Sequence, residues 1–461
     1  MSQLALSSIN SGHVDDLSSS RKEPDWLREF RRNSLSIYDE MPVETSPLYN
    51  KYTDAKRMNQ EQVSLSTAGG GSLPSFIEAR VAELGNSPGI VQVGSGIHRI
   101  NLPDDKLVIS SIGDALLNGG PARALVESAD PHEDKFTALN NAAFDSGIYI
   151  EIPDGYDKEE PIHILTCLPE DRLSTISRNV IKVGRDSRST IVQELYSPPG
   201  QGQQAYLEVL TTDIGPGARL SATTLQMMDQ ASVNFSTRRS DVAQDATINW
   251  YLGLFGTVLS RYRIDYKLMG TGASANDSEV VFGTGDQSFD IQSNLNHEAG
   301  STEGRVIEKS ILRERSKSLF KGMIRIMEGA AKSNSYLSGR SILLDPDAKS
   351  DAIPGLEILT NDVKATHAAS VAQIDEEQIF YLQTRCLTEA EAERTIVEGF
   401  LEPLSRKMSY QVRAWIAQLV ESKWEGKNLA INTDEELRKF IEVEETRYNE
   451  DEEIEQHYKY R

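Results

Sequence analysis

Between Gly147 and Leu337 the chain offers about a dozen short apolar runs and no helix-length periodic segment, and this limits its fold more than any other feature. The run opens with GIYIEIPDG, where Ile148, Ile150 and Ile152 alternate with Tyr149 and Glu151 and a Pro-Asp-Gly turn closes the strand. Similar segments follow at 161–165, 179–183, 190–195, 205–209, 219–225, 231–237, 247–252, 260–268, 278–283, 289–294, 305–311, 319–326 and 334–337. Gly, Asp, Asn and Ser separate them. Three architectures accommodate such a series: a sandwich, a barrel or a β-helix. Regular spacing without strong hairpin dipeptides favours the solenoid, but the pattern alone leaves all three open.

The flanks read differently. Residues 1–22 are rich in Ser, Asp and Asn, show no periodicity and read as a flexible N-terminus. Residues 23–145 form a helical and mixed region. Its first helix starts at Pro24, carries Trp26, Leu27, Phe30, Leu35, Ile37 and Tyr38, and stops before Pro42. Residues 43–75 look like a linker around Gly69-Gly70-Gly71-Ser72. A short helix and a strand are expected over 76–95, and helices over 114–127 and 134–143. The strand-rich core occupies 146–373, a helical region 374–426, and an acidic tail 427–461.

Charge narrows the function classes. A net charge of −22 over 461 residues argues against binding nucleic acid or an anionic membrane, both of which need a basic face. Two cysteines, Cys167 and Cys386, make no disulfide framework and no metal-binding pair of the CxxC type, so a reducing, cytoplasmic setting is expected. No stretch reaches the roughly 18 apolar residues of a membrane span, and the N-terminus does not read as a secretory signal. There is no G-x-x-x-x-G-K-[ST], no G-x-S-x-G and no H-E-x-x-H. Gly270-Thr271-Gly272 and Gly283-Thr284-Gly285 read as turns, and His297-Glu298 as a structural pair. Both cysteines read as structural, with Cys386 a small buried apolar residue.

The transition near the C-terminal end of the strands is the most informative stretch. Leu356, Ile358, Val363 and Val371 alternate with polar or small residues. Asp375 then stands as an N-cap with Gln378 three residues on, and Thr388 as a second with Glu391. Helical spacing follows in Ile379, Leu382 and Cys386, then in Ile396, Val397, Phe400 and Leu401. A further helix is expected to begin at Pro403. One of the seven histidines, His367, sits in the last strand before the change.

This stretch resembles the C-terminal region of the SufB/SufD scaffold family of iron–sulfur cluster assembly. Leu356-Glu357-Ile358, Asp362-Val363-Lys364 followed by His367, and Ile374-Asp375-Glu376-Glu377-Gln378-Ile379-Phe380-Tyr381-Leu382 carry the resemblance. Arg385 and Ile396–Phe400 extend it. Phe320-Lys321-Gly322-Met323-Ile324, and Pro24-Asp25-Trp26 with Arg31 and Tyr38, agree with it, so that it spans roughly residues 20 to 425. The resemblance implies a right-handed parallel β-helix flanked by helical regions. It implies a scaffold without catalysis of its own, paired with a SufB-type subunit through Leu356, Ile358, Val363, Lys364 and Val371. It implies that a SufC-type ATPase docks on the helical region through Glu376, Glu377, Phe380, Tyr381, Arg385, Glu398 and Phe400. No cofactor is held stably, but a transient iron–sulfur cluster at the subunit interface is implied, with His367 beside it.

Departures from the family pattern separate its branches. The SufB branch flanks the matching histidine with carboxylates and carries an essential cysteine upstream. Here the flanks are Thr366 and Ala368, and residues 340–366 contain no cysteine. The chain therefore resembles the SufD branch. A SufB-like homodimeric scaffold is the alternative, and a β-helix acting on polysaccharide is a more distant one.

Overall fold

The computed structural model describes residues 9–42, 44, 64–65, 73–102, 106–169, 173–200, 203–405 and 408–431. The chain divides into two compact units, Met1–Pro74 with Asn86–Gln373, and Ser75–Gly85 with Ile374–Arg461. Most of the 43–75 linker and of the acidic tail lies outside the described residues.

The first unit begins with α1 (Ser11–Ser20) and α2 (Asp25–Glu40). Of the flexible segment expected over 1–22, residues 1–8 lie outside the described residues and the rest is corrected: Asn10 caps α1 by accepting from the His13 amide at 3.0 Å, and Val14 and Ser18 are buried. Its small polar residues hide a helix held by partners distant in sequence, including Asp15 paired with Arg32 at 2.8 Å. Glu23 pairs with the fully buried Arg31, which also lies 4.0 Å over the Phe144 ring. β1 (Ser64–Leu65) follows in this unit, and α3 (Ser75–Leu84) belongs to the second. Then come β2 (Gly89–Val93), β3 (Gly96–Asn101), β4 (Val108–Ser111), α4 (Ile112–Asn118), α5 (Pro121–Glu127) and α6 (Lys135–Ala143). The single helix expected over 114–127 is broken in two, because Gly119 and Gly120 both take positive φ before Pro121.

A parallel β-solenoid fills the rest of this unit. One sheet stacks β5 (Ile148–Ile152), β7 (Leu173–Val183), β9 (Ala205–Ile214), β11 (Val233–Val242), β13 (Leu259–Leu268), β15 (Ser288–His297), β17 (Lys317–Ile326) and β19 (Lys349–Ile358). The other stacks β6 (Ile162–Cys167), β8 (Arg188–Tyr196), β10 (Arg219–Gln226), β12 (Thr247–Leu254), β14 (Ser274–Gly283), β16 (Glu303–Leu312), β18 (Asn334–Leu343) and β20 (Lys364–Gln373). Each strand pairs in parallel with the strand two places away in sequence, so two strands make one turn and the coil has eight turns. At the N-terminal end β3 runs antiparallel to β2, and β4 antiparallel to β5.

Register builds the core. Residues one turn apart stack in rows, as in Leu220, Ile248 and Ala275, all fully buried. The turns impose their own demands: Gly217 has φ +70°, and a Cβ there would stand 2.1 Å from Asp186 Oδ1. The odd-numbered sheet is covered on its outer side as well. Phe136 of α6 stacks on Phe235 of β11 with ring centroids 4.3 Å apart, within a cluster that includes Leu27, Leu139, Leu207 and Leu259.

The second unit comprises α3, α7 (Glu376–Gln383), α8 (Glu389–Ser405) and α9 (Tyr410–Trp424). Trp415 is fully buried in it, with the Arg80 guanidinium 5.1 Å from its ring centroid. The Thr388–Glu391 capping box forms in both directions, at 2.7 and 3.3 Å. Asp375 caps α7 through the Glu377 amide at 2.9 Å. Pro403 does not start a helix but lies within the last turn of α8.

Candidate functional site

The solenoid ends on β19 and β20, each the last strand of its sheet. Strands at a sheet edge present unpaired backbone donors and acceptors. Side-chain register adds a second signal. Leu356 and Ile358 continue the rows of Ile324 and Ile326, which are fully buried one turn earlier, yet they are 37% and 40% exposed. Val371 continues the row of Ser341 and is 43% exposed. These side chains hold interior positions of a coil that has no next turn to cover them. An apolar face at this end of the coil is thereby left open to solvent.

His367 lies within this face. It stands in register with Leu337 and extends an inward row that runs back through Val306, Asp277 and Trp250. Its ring is exposed. Val363 and Ala365 are half-buried against the lumen core, and Lys364 opens β20 with its side chain exposed. Thus His367, Leu356, Ile358, Val363, Lys364 and Val371, all picked out from sequence, come together at one end of the coil. No group of three His, Cys, Asp or Glu side chains able to hold a metal ion occurs among the described residues.

In the helical unit, Phe380 and Tyr381 of α7 are 67% and 57% exposed, beside exposed Glu376 and Glu377. Arg385 donates to Tyr381 Oη at 3.1 Å and lies 5.3 Å from the ring centroid, which fixes a basic group against an aromatic one. Glu398 is engaged with Arg394 at 3.0 Å, and Phe400 is half-buried. Cys386 is corrected: it is exposed and takes φ +69°, just past the end of α7. Helical spacing placed it on the apolar face, but the helix has already stopped. Cys167 is buried at the end of β6, its Sγ donating to Leu168 O at 3.3 Å, and burial pushes its thiol up to about 12.

Sequence reasoning missed the polar interior. Glu208 and Arg238 are fully buried and meet at 3.1 Å inside the lumen. Asn179, Gln193 and Ser236 donate to the Glu208 carboxylate at 2.7, 2.6 and 2.7 Å. Burial pushes that carboxyl up, but Arg238 and these donors outweigh it and hold it below the usual range. Arg238 also donates to Thr224 Oγ1 at 2.7 Å and lies 5.0 Å from the Trp250 ring. Further along, His297 bonds to Thr302 and Ser335 at 2.7 and 3.0 Å, and burial lowers its pKa to about 4. The available signal was charge in phase with apolar alternation, as at Tyr206, Glu208 and Leu210.

The family described as SUF system FeS cluster assembly, SufBD core domain, matches residues 167–400, just over half of the chain. The iron–sulfur cluster assembly protein SufB of Bacillus subtilis (strain 168) is 24% identical over 436 residues, covering 90% of this chain and 92% of that protein. An iron–sulfur cluster assembly SufBD family protein of Staphylococcus epidermidis is 24% identical over 439 residues, with the same coverage. A SufBD family protein of Staphylococcus aureus (strain USA300) is 23% identical over 434 residues.

Proposed function

Since the chain belongs to the SufBD core family of the SUF iron–sulfur cluster assembly system, we propose that it is the SufD-type scaffold subunit of a SUF complex. It pairs with a SufB-type subunit through the open end of its solenoid and carries a SufC-type ATPase on its helical unit. The observation that carries this reading is the exposure of interior rows at β19 and β20, where Leu356, Ile358 and Val371 need a covering surface. A partner that adds its own strands or apolar face there buries these side chains and meets the open edges. His367 then lies at the junction. A neutral imidazole nitrogen suits iron, so His367 supplies one ligand to a transient cluster whose other ligands come from the partner. The cluster is cargo, built and passed on, and no cofactor is held stably.

The ATPase site is read from α7. Phe380 and Tyr381 present an aromatic pair flanked by Glu376, Glu377 and Arg385, which fits a helix laid into a partner's groove. ATP hydrolysis belongs to that partner, and this chain transmits the motion without catalysing a step. The unpaired Cys167 and Cys386 fit a reducing, cytoplasmic setting. A SufB-like homodimer is the second reading, favoured by the SufB name of one relative. The absence of cysteine from residues 340–366 speaks for the first.

Co-expression with a SufC-type ATPase and a SufB-type subunit tests the proposal, comparing wild type with His367→Ala for complex formation and for iron and sulfide content. A complex that assembles in both but loses its cluster in the variant supports the ligand role. A chain that ignores both partners and stays monomeric overturns the scaffold reading. A cluster on the isolated homodimer favours the second reading.

A further inference from the structure

Three carboxyl groups converge inside the distal half of the solenoid. Glu279 of β14 and Glu308 of β16 are register partners on adjacent parallel strands, and Asp277 precedes Glu279 by two residues on the same inward face. Adjacent strands lie about 4.8 Å apart. All three side chains are buried, at 1% exposure or less. Ser293 Oγ donates to Glu279, and Ser310 Oγ donates to Glu308. Both oxygens of Asp277 and the second oxygen of each glutamate accept no hydrogen bond.

The surrounding strands supply little positive charge. From β13 the facing titratable group is Tyr266, itself fully buried. From β11 it is Arg238, whose guanidinium is already bonded to Glu208, Gln193 and Thr224. β15 contributes Ser293, and β18 approaches Glu308 with the Arg340 backbone amide. Neighbouring carboxylates in a dry interior cannot all ionise without cations, and they hold protons between them instead. Burial raises all three groups, Asp277 to about 7 and Glu308 to about 8.

We propose that Asp277, Glu279 and Glu308 form a proton-sharing latch that ties β14 to β16 while protonated and releases these turns when its protons are withdrawn. The protons convert mutual repulsion across the two strands into carboxyl–carboxylate hydrogen bonds. Their loss leaves adjacent buried charges whose repulsion opens the coil locally. Because the folded-state values are raised, the stabilisation is present at low pH and is lost as pH rises through about 7 to 8. The latch lies in the fifth and sixth of the eight turns, with two turns between it and the open end, so it sets how firmly the coil beneath those two turns holds its register.

Infrared spectroscopy and pH-dependent hydrogen exchange on the full chain test this. At neutral pH the wild type should show the carbonyl band of protonated carboxyls. That band should fall in Glu308→Gln and fall further in Glu279→Gln/Glu308→Gln. Between pH 6 and 9, after correction for intrinsic exchange, amide protection in β14 and β16 should drop about tenfold in wild type and stay flat in the variants. Protection in β7 and β9 should not follow. A wild type without the carboxyl band at neutral pH overturns the proposal, and this needs no variant to fold. Parallel pH profiles in wild type and Glu308→Gln also overturn it.

Discussion

His367 stands one turn beyond Leu337 in the same inward-facing row, and the apolar residue is fully buried where the histidine is open to solvent. The row therefore leaves the core and reaches the open end of the coil within a single step. Substituting His367 by Ala removes no packed volume, so the melting midpoint of the isolated chain should change by an amount equivalent to under about 0.5 kcal/mol. Iron and sulfide recovered with the assembled complex should fall severalfold. A large loss of thermal stability would show that His367 holds the last turn together instead.

Val371→Glu should separate assembly from folding. Its side chain faces the uncovered end, so charge there meets water in the monomer and a buried surface in a complex. Partner affinity, measured by titration with a SufB-type subunit, should drop tenfold or more, about 1.4 kcal/mol, with the monomer's unfolding curve unchanged. Equal affinities would remove β20 from the interface.

Arg238→Met strands Glu208 in the lumen. A buried charge deprived of its partner costs about 3–5 kcal/mol, which urea unfolding should detect. Adding Glu208→Gln should recover a good part of that loss, because the uncompensated charge is then gone. Additive losses in the double variant would contradict the coupling.

His297 sets the acid limb of stability. Its folded pKa is depressed to about 4 from the ordinary 6.5, so its contribution is present above pH 6.5 and disappears as pH falls through 4. The span amounts to about 3 kcal/mol. The melting midpoint of wild type relative to His297→Gln should therefore rise between pH 4 and 7.

Cys386→Gly should stabilise the helical unit. A side chain at φ +69° costs about 1 kcal/mol that glycine does not incur, and the exposed thiol has no packing to lose. The variant's melting midpoint should rise. A fall would show that the thiol makes contacts in solution.

The strand series was legible because each turn of the coil repeats one apolar pattern, and all fourteen strand segments read from sequence lie on strands of the solenoid or overlap them. Alternation faded where both sheet faces are covered: in Ala205–Ile214 nine residues are buried and only Asp213 is half-exposed, so period two carries little contrast. α1 escaped because it buries only Val14 and Ser18, too few apolar positions for a helical period, and is tied down instead by polar contacts with Glu23 and Arg32. α3 falls with the C-terminal helices through Arg80 and Trp415, more than 300 residues apart, a pairing no local signal reports. His367 was visible only through family resemblance, since a lone histidine in a strand is ordinary. Its inward phase emerges from the register of the turns before it.

A parallel coil has a direction, and its two ends here are unlike. β3 and β4 run against the coil at its start, whereas β19 and β20 finish it in the coil's own sense. Head-to-tail stacking would require the starting end to offer parallel strands, which those two reversed strands deny. A partner that met the terminal turn with a like end of its own would close the assembly at two molecules. Such closure would also keep the open edge from seeding a fibre.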